Sequence, residues 1–581
     1  MKKSQDITDY IILILIILLL GLPIPETVFG ADQPNQQTSQ DYFGIMVLNP
    51  VTDSVLPTAV FSTQPSNSID LAGCRDQYIS ASFVISASQI DLTNFQATPG
   101  KLSGSVGHSI PASAVDIRTV KCWYQSAVPP SNIRQAGVRN LIPELLLHND
   151  NLVRVDTTAK QNYLELPGGG ELCISNDTQA TPELIQPIDA ATLQPLSISA
   201  NTNKQFWVTV HVPANAAPGT YNGTIVLSAN EAFTAYLPLQ LQVYNFILEQ
   251  PSLLYGIYYS GATSTRYLNQ IGPVWKSTTQ LIADLQGMFQ HGIKYPSVNI
   301  DINYPTYYNT NDLGLRASLG FPQDILFWGN AGVPYLIPQS DADLNSYQSF
   351  LQNYAAVAKQ YGYNNVATFG RDEASPSVML LEGSALDVIH EVGIKTFITT
   401  SISNSPFEVA GLSSRVDYVN YSYAPSILEA NKWHSVGAKV LSYANPQTTS
   451  EVPLSYRRDY GWLLFKNNYD GAFLYIYQDC HASPYYSGLI WNDFCVPVGS
   501  YRGHCLTYPT MNGVVDTVQY EGLREAINDM RYLATLQKAI NDQPGATATA
   551  AQAWISQVDP NSDLDAVRAQ MASWINQILG N

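Results

Sequence analysis

The sequence predicts a multidomain fold: an N-terminal all-β sandwich, then a (β/α)8 TIM-type barrel, then a short C-terminal helical extension. Three patterns predict it. Residues 42–250 run as short segments with alternating apolar positions, split by turn residues. Residues 251–540 alternate strand-length apolar runs with helix-length amphipathic runs. Residues 541–581 carry two further amphipathic stretches.

The sandwich strands are read at "QYISASFVIS", "AVDIRTVKCWYQ", "QFWVTVHVP", "GTIVLSA" and "LPLQLQV". In the last, Leu237, Leu239, Leu241 and Val243 alternate with polar or Pro positions, the period of a half-buried strand. Many such strands over this length argue for two packed sheets. After "NFILEQP" the rhythm changes. "LLYGIYYSG" reads as a strand, and "TTQLIADLQGMFQHG" sets Leu281, Ile282, Leu285, Met288 and Phe289 on one helical face with Gly292 as the stop. Further strands are read at "KYPSVNID", "VPYLIPQ", "NVATFGRDE", "IKTFITTSI", "VDYVNYSY", "KVLSYANP" and "GAFLYIYQD". Helical runs such as "DLNSYQSFLQNYAAVAKQYG" and "SVMLLEGSALDVIHEVG" separate most of them, which makes eight units and a closed barrel. "YEGLREAINDMRYLATLQKAI" closes it. Two helices follow, marked by Trp554, Ile555 and Val558, then by Leu564, Val567, Met571, Trp574, Ile575 and Ile578.

Composition excludes several classes. Charged residues are 13% of the chain, about half the ~25% usual for soluble proteins. Tyr (36 residues), Asn, Gln, Ser and Thr fill the polar positions, and 45% of residues are hydrophobic, so the chain is not disordered. The net charge is −18 without a Lys/Arg cluster, which argues against a nucleic-acid partner. At the N-terminus two Lys precede an aliphatic run from Ile11 to Leu22. That run suits a signal peptide over residues 1–30, cleaved after Gly30, and a flexible leader over 31–41. The alternative is an uncleaved anchor, the one route to a membrane. Either way the expected location is secreted, periplasmic or cell surface. Six cysteines in an exported chain favour disulfides: Cys74, Cys122, Cys173, Cys480, Cys495 and Cys505. They have no CxxC spacing, and the eight His are scattered, so no metal site or cofactor is signalled.

The chemistry concentrates at "NNVATFGRDEASP", residues 364–376. A charge-poor chain ends an apolar strand with two adjacent acids, Asp372 and Glu373. In a barrel of this kind, reactive groups sit at the C-terminal ends of the strands. Those ends also carry Asp301, Asn420, Tyr421, Tyr443 and Asp479, and Trp491 lies in the aromatic loop "SPYYSGLIWNDF". Rings around a few acids suit a sugar, whose C–H faces stack on aromatics while its hydroxyls seek amides and carboxylates. A lone acid at a strand end also serves as a helix N-cap, the plain reading of Asp301 and Asp479. For the pair, the plain reading is Glu373 as cap and Asp372 as partner of Arg371.

Cleaving a glycosidic bond needs a proton donor and a group that stabilises the developing oxocarbenium ion. Acids one residue apart do not flank a sugar from opposite faces. They fit substrate assistance, in which the substrate's own 2-acetamido oxygen attacks C1. One carboxylate then orients the acetamido N–H and the other is the acid/base. Successive residues of a strand point oppositely, so both face the mouth only if the strand has begun to turn.

Here the chain resembles glycoside hydrolase family 123. The β-rich first half, the barrel and "FGRDEASP" on the fourth strand carry the likeness. So does "YPTMNGVVDTVQYEGLREAINDMRYLATL" (508–536), similar to a signature shared with many secreted relatives. The resemblance implies an exo-acting β-N-acetylgalactosaminidase that needs no cofactor, with Glu373 as acid/base and Asp372 orienting the acetamido group. Asp301, Asn420, Tyr421, Tyr443, Asp479 and Trp491 are the expected substrate-binding residues. Two other functions remain open. One is a retaining glycosidase on neutral sugars, pairing Glu373 with Asp479 or Asp301 at about 5 Å. The other is a non-catalytic glycan-binding or surface-layer protein on the same scaffold.

Overall fold

A computed structural model describes residues 42–580, apart from 61–65, 106, 178–186, 232, 265–272, 306, 402, 404–405 and 480–489. The expected signal peptide and leader lie outside the described residues, as does Cys480.

The first part is two β-sheets packed face to face. One sheet runs in the order Phe43–Leu48, Gln77–Ala87, Asn203–Val212, Val115–Gln125, Asn140–Leu147, Val514–Thr517, Thr507–Pro509. The other is built around the hairpin Gly219–Ala229 and Phe233–Val243, flanked by Leu92–Pro99 and Ile69–Gly73. The alternation read in "LPLQLQV" is the burial pattern: Leu237, Leu239, Leu241 and Val243 are buried against Phe83, Ile85, Phe206 and Val208 of the facing sheet. Phe206 stacks on Phe83 with ring centres 4.9 Å apart and meets Phe95 of the opposite sheet at 5.3 Å.

The second part is an eight-stranded parallel sheet curled into a near-barrel. Its strands are β1 (Leu254–Ile257), β2 (Tyr295–Pro296), β3 (Leu326–Trp328), β4 (Val366–Phe369), β5 (Lys395–Thr400), β6 (Tyr418–Ser422), β7 (Lys439–Tyr443) and β8 (Gly471–Leu474). The gap between β2 and β3 is bridged two residues beyond β2. There the Val298 N–H donates to the Phe327 carbonyl at 2.8 Å, and the Gly329 N–H donates to the Val298 carbonyl at 2.8 Å. Helices α1 (Thr278–Gln290), α2 (Asn311–Ser318), α3 (Asp341–Gln360), α4 (Pro376–Leu381), α5 (Gly383–Glu391) and α6 (Ile427–His434) lie between strands. Ser277 starts α1 with a capping box through Gln280, and Ser340 caps α3, so local chemistry sets both starts. Inward-facing Phe327, Phe369, Phe397, Tyr418, Leu441 and Phe473 fill the interior. The barrel is thus packed with rings below its mouth.

The third strand is not where the sequence put it. "VPYLIPQ" (333–339) is a loop with Tyr335 and Leu336 exposed, and the strand is Leu326–Trp328 in "DILFWG". Pro334 and Pro338 have no N–H to donate to a ladder on both sides, while Leu326, Phe327 and Trp328 are all buried. The boundary between the parts also differs from a cut at residue 250. Thr507–Pro509 and Val514–Thr517 return to the first sheet, with Asp516 opposite Leu146 and Thr517 opposite Leu145. The helix that follows, α8 (Val518–Asp542), joins the two parts, with the short α7 (Pro453–Arg457) against it. Its Arg524 reaches Ser80, its Asn528 the Tyr78 carbonyl and its Tyr532 Gln77, all on the sandwich. Its Leu523, Ala526 and Ile527 pack in the barrel core. Helices α9 (Ala546–Gln557) and α10 (Leu564–Leu579) cover it.

Disulfides are not formed among the described residues: Cys74, Cys122, Cys173, Cys495 and Cys505 are free thiols. Burial pushes the thiols of Cys74 and Cys122 up to about 12, and Cys74, fully buried, behaves as a small apolar filler. Among the described residues no helix is long and apolar enough to cross a membrane.

Candidate active site

The two acids sit just past the end of β4. The strand stops at Phe369, and the Gly370 N–H makes the last ladder bond, to the Phe397 carbonyl at 2.8 Å. Residues 371–373 then form a turn, with Glu373 in the left-handed region at φ 42. Ser375 and Pro376 start α4 directly after it, Pro being favoured at a first helical position. The turn removes the objection that neighbouring strand residues point oppositely. Both side chains are exposed at the mouth.

One hydroxyl clamps them. Thr399, at the end of β5, donates to Asp372 Oδ1 at 2.6 Å and accepts the Glu373 backbone N–H at 3.3 Å. Tyr443, the last residue of β7, donates its phenol to Glu373 Oε1. Burial, and then the Glu373 carboxylate, push the Tyr443 phenol far above its ordinary range, so Tyr443 is a fixed donor. Burial does the same to Tyr258 and Tyr475, with the Asp372 charge adding to both. Asp372 therefore overlooks a floor of neutral phenols, and Glu373 is held beside it. Arg371 projects away, its guanidinium carbon 4.8 Å from the Tyr335 ring centre.

The other expected residues divide. Tyr443 is in the site. Asn420 faces inward but lies one layer below, fully buried, donating to the Phe473 carbonyl at 3.0 Å. Asp479 accepts from the Tyr475 phenol at 3.0 Å, and the Asp372 charge acts on the same phenol. Asp301 is committed to its own turn, accepting from the Asn303 N–H at 2.9 Å and from the Tyr354 phenol at 3.1 Å. Tyr421 and Trp491 are corrections. Tyr421 follows Asn420 and so points out of the barrel, where the Trp433 indole donates to it at 2.8 Å in a buried contact. Trp491 is 1% exposed, packed between Trp123 and Tyr508, with its indole donating to the Pro509 carbonyl at 3.0 Å. Neither ring is open to a sugar.

Reading the sequence did not single out Thr399, Tyr258, Tyr475 or Glu382. Strand parity holds the signal for two of them. Thr399 lies two residues beyond inward-facing Phe397, and Tyr475 two beyond Phe473. Glu382, fully buried behind the turn, accepts the Arg371 N–H at 2.8 Å.

Two other features lie away from the mouth. A cleft of about 740 Å³ on the sandwich is lined in part by Lys121, Asp150, Arg154 and Lys204, with both lysines paired to Asp150. His291, Asp516 and Glu521 bring possible ligand atoms within 4.8 Å at the sandwich–barrel junction. Their carboxylates are already paired with Arg118 and Arg524.

The glycoside hydrolase 123 N-terminal domain family matches residues 58–229, within the sandwich. Among solved structures, the chain is similar to a family 123 glycoside hydrolase from Clostridium perfringens, described for glycolipid glycan hydrolysis. Identity is 13%, the TM-score is 0.61, and the match covers 93% of this chain and 98% of that one. A Bacteroides ovatus GH5 xyloglucanase matches at 9% identity and a TM-score of 0.29, over 84% of this chain and 100% of that one. No curated protein sequence matches. Through its N-terminal domain and its two-part architecture the chain is similar to the glycoside hydrolases, and within that class to family 123.

Proposed function

We propose that the chain cleaves terminal β-linked 2-acetamido sugars, GalNAc-like, by substrate assistance. The observation that carries this reading is the Thr399 clamp, which holds Asp372 and Glu373 side by side on one turn. A retaining pair acts across the sugar at ~5–5.5 Å and an inverting pair at ~6.5–9.5 Å. Neighbours on one turn share a side. In the proposed step Asp372 accepts the acetamido N–H on its Oδ2 and aims the acetamido oxygen at C1. That oxygen forms the new bond to C1 as Glu373 protonates the departing glycosidic oxygen. Glu373, now ionised, takes a proton from water, which attacks C1 and reopens the oxazolinium ring. Tyr443 holds the Glu373 carboxyl in line throughout. The Clostridium relative's action on glycolipid glycans makes a lipid-linked glycan the first natural substrate to try. Export by the N-terminal segment belongs to the same proposal.

The retaining alternative has less support. Asp301 is spent on its own turn, and Asp479 accepts the Tyr475 phenol. Glu373→Gln tests the leading reading. It removes the proton donor and keeps the shape, so turnover of poor leaving groups should fall ~10²–10⁴-fold while activated aryl leaving groups suffer less. Equal loss for both, or none, would sink the assignment.

A further inference from the structure

We propose that Glu382 is a positioning residue for the Asp372–Glu373 turn, acting through the Arg371 peptide rather than on substrate. The proposal rests on the catalytic reading of that pair.

Glu382 stands between α4 and α5 and is fully buried. Its Oε2 accepts the Arg371 N–H at 2.8 Å, and its Oε1 has no hydrogen-bond partner among the described residues. The carboxyl also lies against Gly370: a Cβ there would meet Oε2 at 3.2 Å and Oε1 at 3.5 Å. Burial of such a group without full pairing opposes folding, and an apolar side chain would fill the space at less cost. What the carboxyl supplies is a fixed acceptor for one peptide, and that peptide immediately precedes Asp372.

The turn needs such an anchor. It carries two adjacent carboxylates that repel, and it places Glu373 at a positive φ that a non-glycine residue adopts at a cost. Thr399 holds it from β5 and Tyr443 from β7, both on the substrate side. Glu382 is the anchor behind. With three elements gripping the turn, neither acid can swing away from the other.

The groups that face Glu382 are few. Arg371 comes from the turn and Tyr347 from α3, and Arg415, near Gly383, is spent on Asp387. Burial therefore prevails over the Arg371 N–H and guanidinium and raises the carboxyl to about 7. Either protonation state offers Arg371 an acceptor, and so does an amide.

Three variants test this: Glu382→Gln keeps the acceptor, whereas Glu382→Met and Glu382→Ala remove it. On an aryl 2-acetamido β-glycoside, Glu382→Gln should hold kcat within about threefold of wild type. Glu382→Met and Glu382→Ala should lose ~10–100-fold in kcat with KM unchanged, the scale set by an ångström of misplacement. Melting temperatures identify a variant that has simply unfolded, and two acceptor-free variants guard against that. Crystal structures read the turn without turnover. The acids should move by ~1 Å or more in the acceptor-free variants and stay in place in Glu382→Gln. An unmoved turn in Glu382→Met or Glu382→Ala, or equal losses in all three variants, would overturn the role. A wild type inactive on every 2-acetamido glycoside would refute the catalytic reading instead, and the structures would still decide the positioning.

Discussion

Thr399 is the smallest part with the largest leverage. Its single hydroxyl donates to one acid's side chain and accepts from the other's backbone. Hydrogen bonds to charged groups contribute ~1.5–3 kcal/mol. Tyr443→Phe, which removes the phenol donated to Glu373, should therefore lower kcat ~10–100-fold with little change in KM. Thr399→Val should cost at least as much, because it releases both acids; steady-state kinetics at matched pH would measure both. A loss confined to KM would mean that these groups bind substrate rather than hold the pair. The pair's place at the end of a barrel strand was legible, because two adjacent acids close an apolar run there. Their clamps were not. A threonine or tyrosine becomes a clamp only through strand register, which composition does not encode. Tyr421 and Trp491 failed for the reverse reason. A ring waiting for a sugar and a ring filling a core look alike in sequence until parity and burial are known.

Among the elements, those with strong local signals were legible. Helix α1 starts at Thr278, where its run was read, and seven of the eight barrel strands fall within the runs expected of them. The third failed because a proline-bordered apolar loop outscored a three-residue strand on length. Helix α8 shows what local patterns leave out. It reads as amphipathic, yet it is buried on both faces, its polar side answering the sandwich. That close fit puts Gly522 against α7, where a Cβ would come 2.3 Å from the Pro453 carbonyl oxygen. Gly522→Ala cannot be relieved by a side-chain rotation, so it should destabilise the fold by ~2–3 kcal/mol. Thermal or urea unfolding would detect that, and a neutral effect would show that α7 and α8 are more loosely joined than described.

At the scale of the molecule, the sandwich and barrel are interlaced rather than strung in series. Strands 507–509 and 514–517 complete the first sheet from the far side of the barrel. No local pattern announces a pairing between residues some 370 positions apart, such as Leu146 and Asp516. Residues 42–250 alone would leave the Asn140–Leu147 strand as an unpaired apolar edge. That fragment should aggregate, whereas residues 42–581 should elute as a folded species; a soluble, folded fragment would refute the dependence. The same junction should make the fold acid-sensitive. Burial disfavours the Glu521 charge, but Arg524 and His291 outweigh it and hold the carboxyl down to about 2. Its pKa is depressed by folding, so its contribution is complete above ~4.5 and is lost as pH falls from there through about 2. The melting temperature should drop across that window, and less steeply in Glu521→Gln. Equal slopes would remove Glu521 from the account.

The proposed chemistry depends on a nucleophile that the substrate, not the protein, would supply. Initial rates on two aryl β-galactosides, alike except for a 2-acetamido or a 2-hydroxyl group, decide it. Substrate assistance requires the acetamido compound to be cleaved at least ~10³-fold faster, the value of a positioned internal nucleophile. Comparable rates on both would mean that the protein supplies its own nucleophile, and that Asp372 and Glu373 do not divide the work as described.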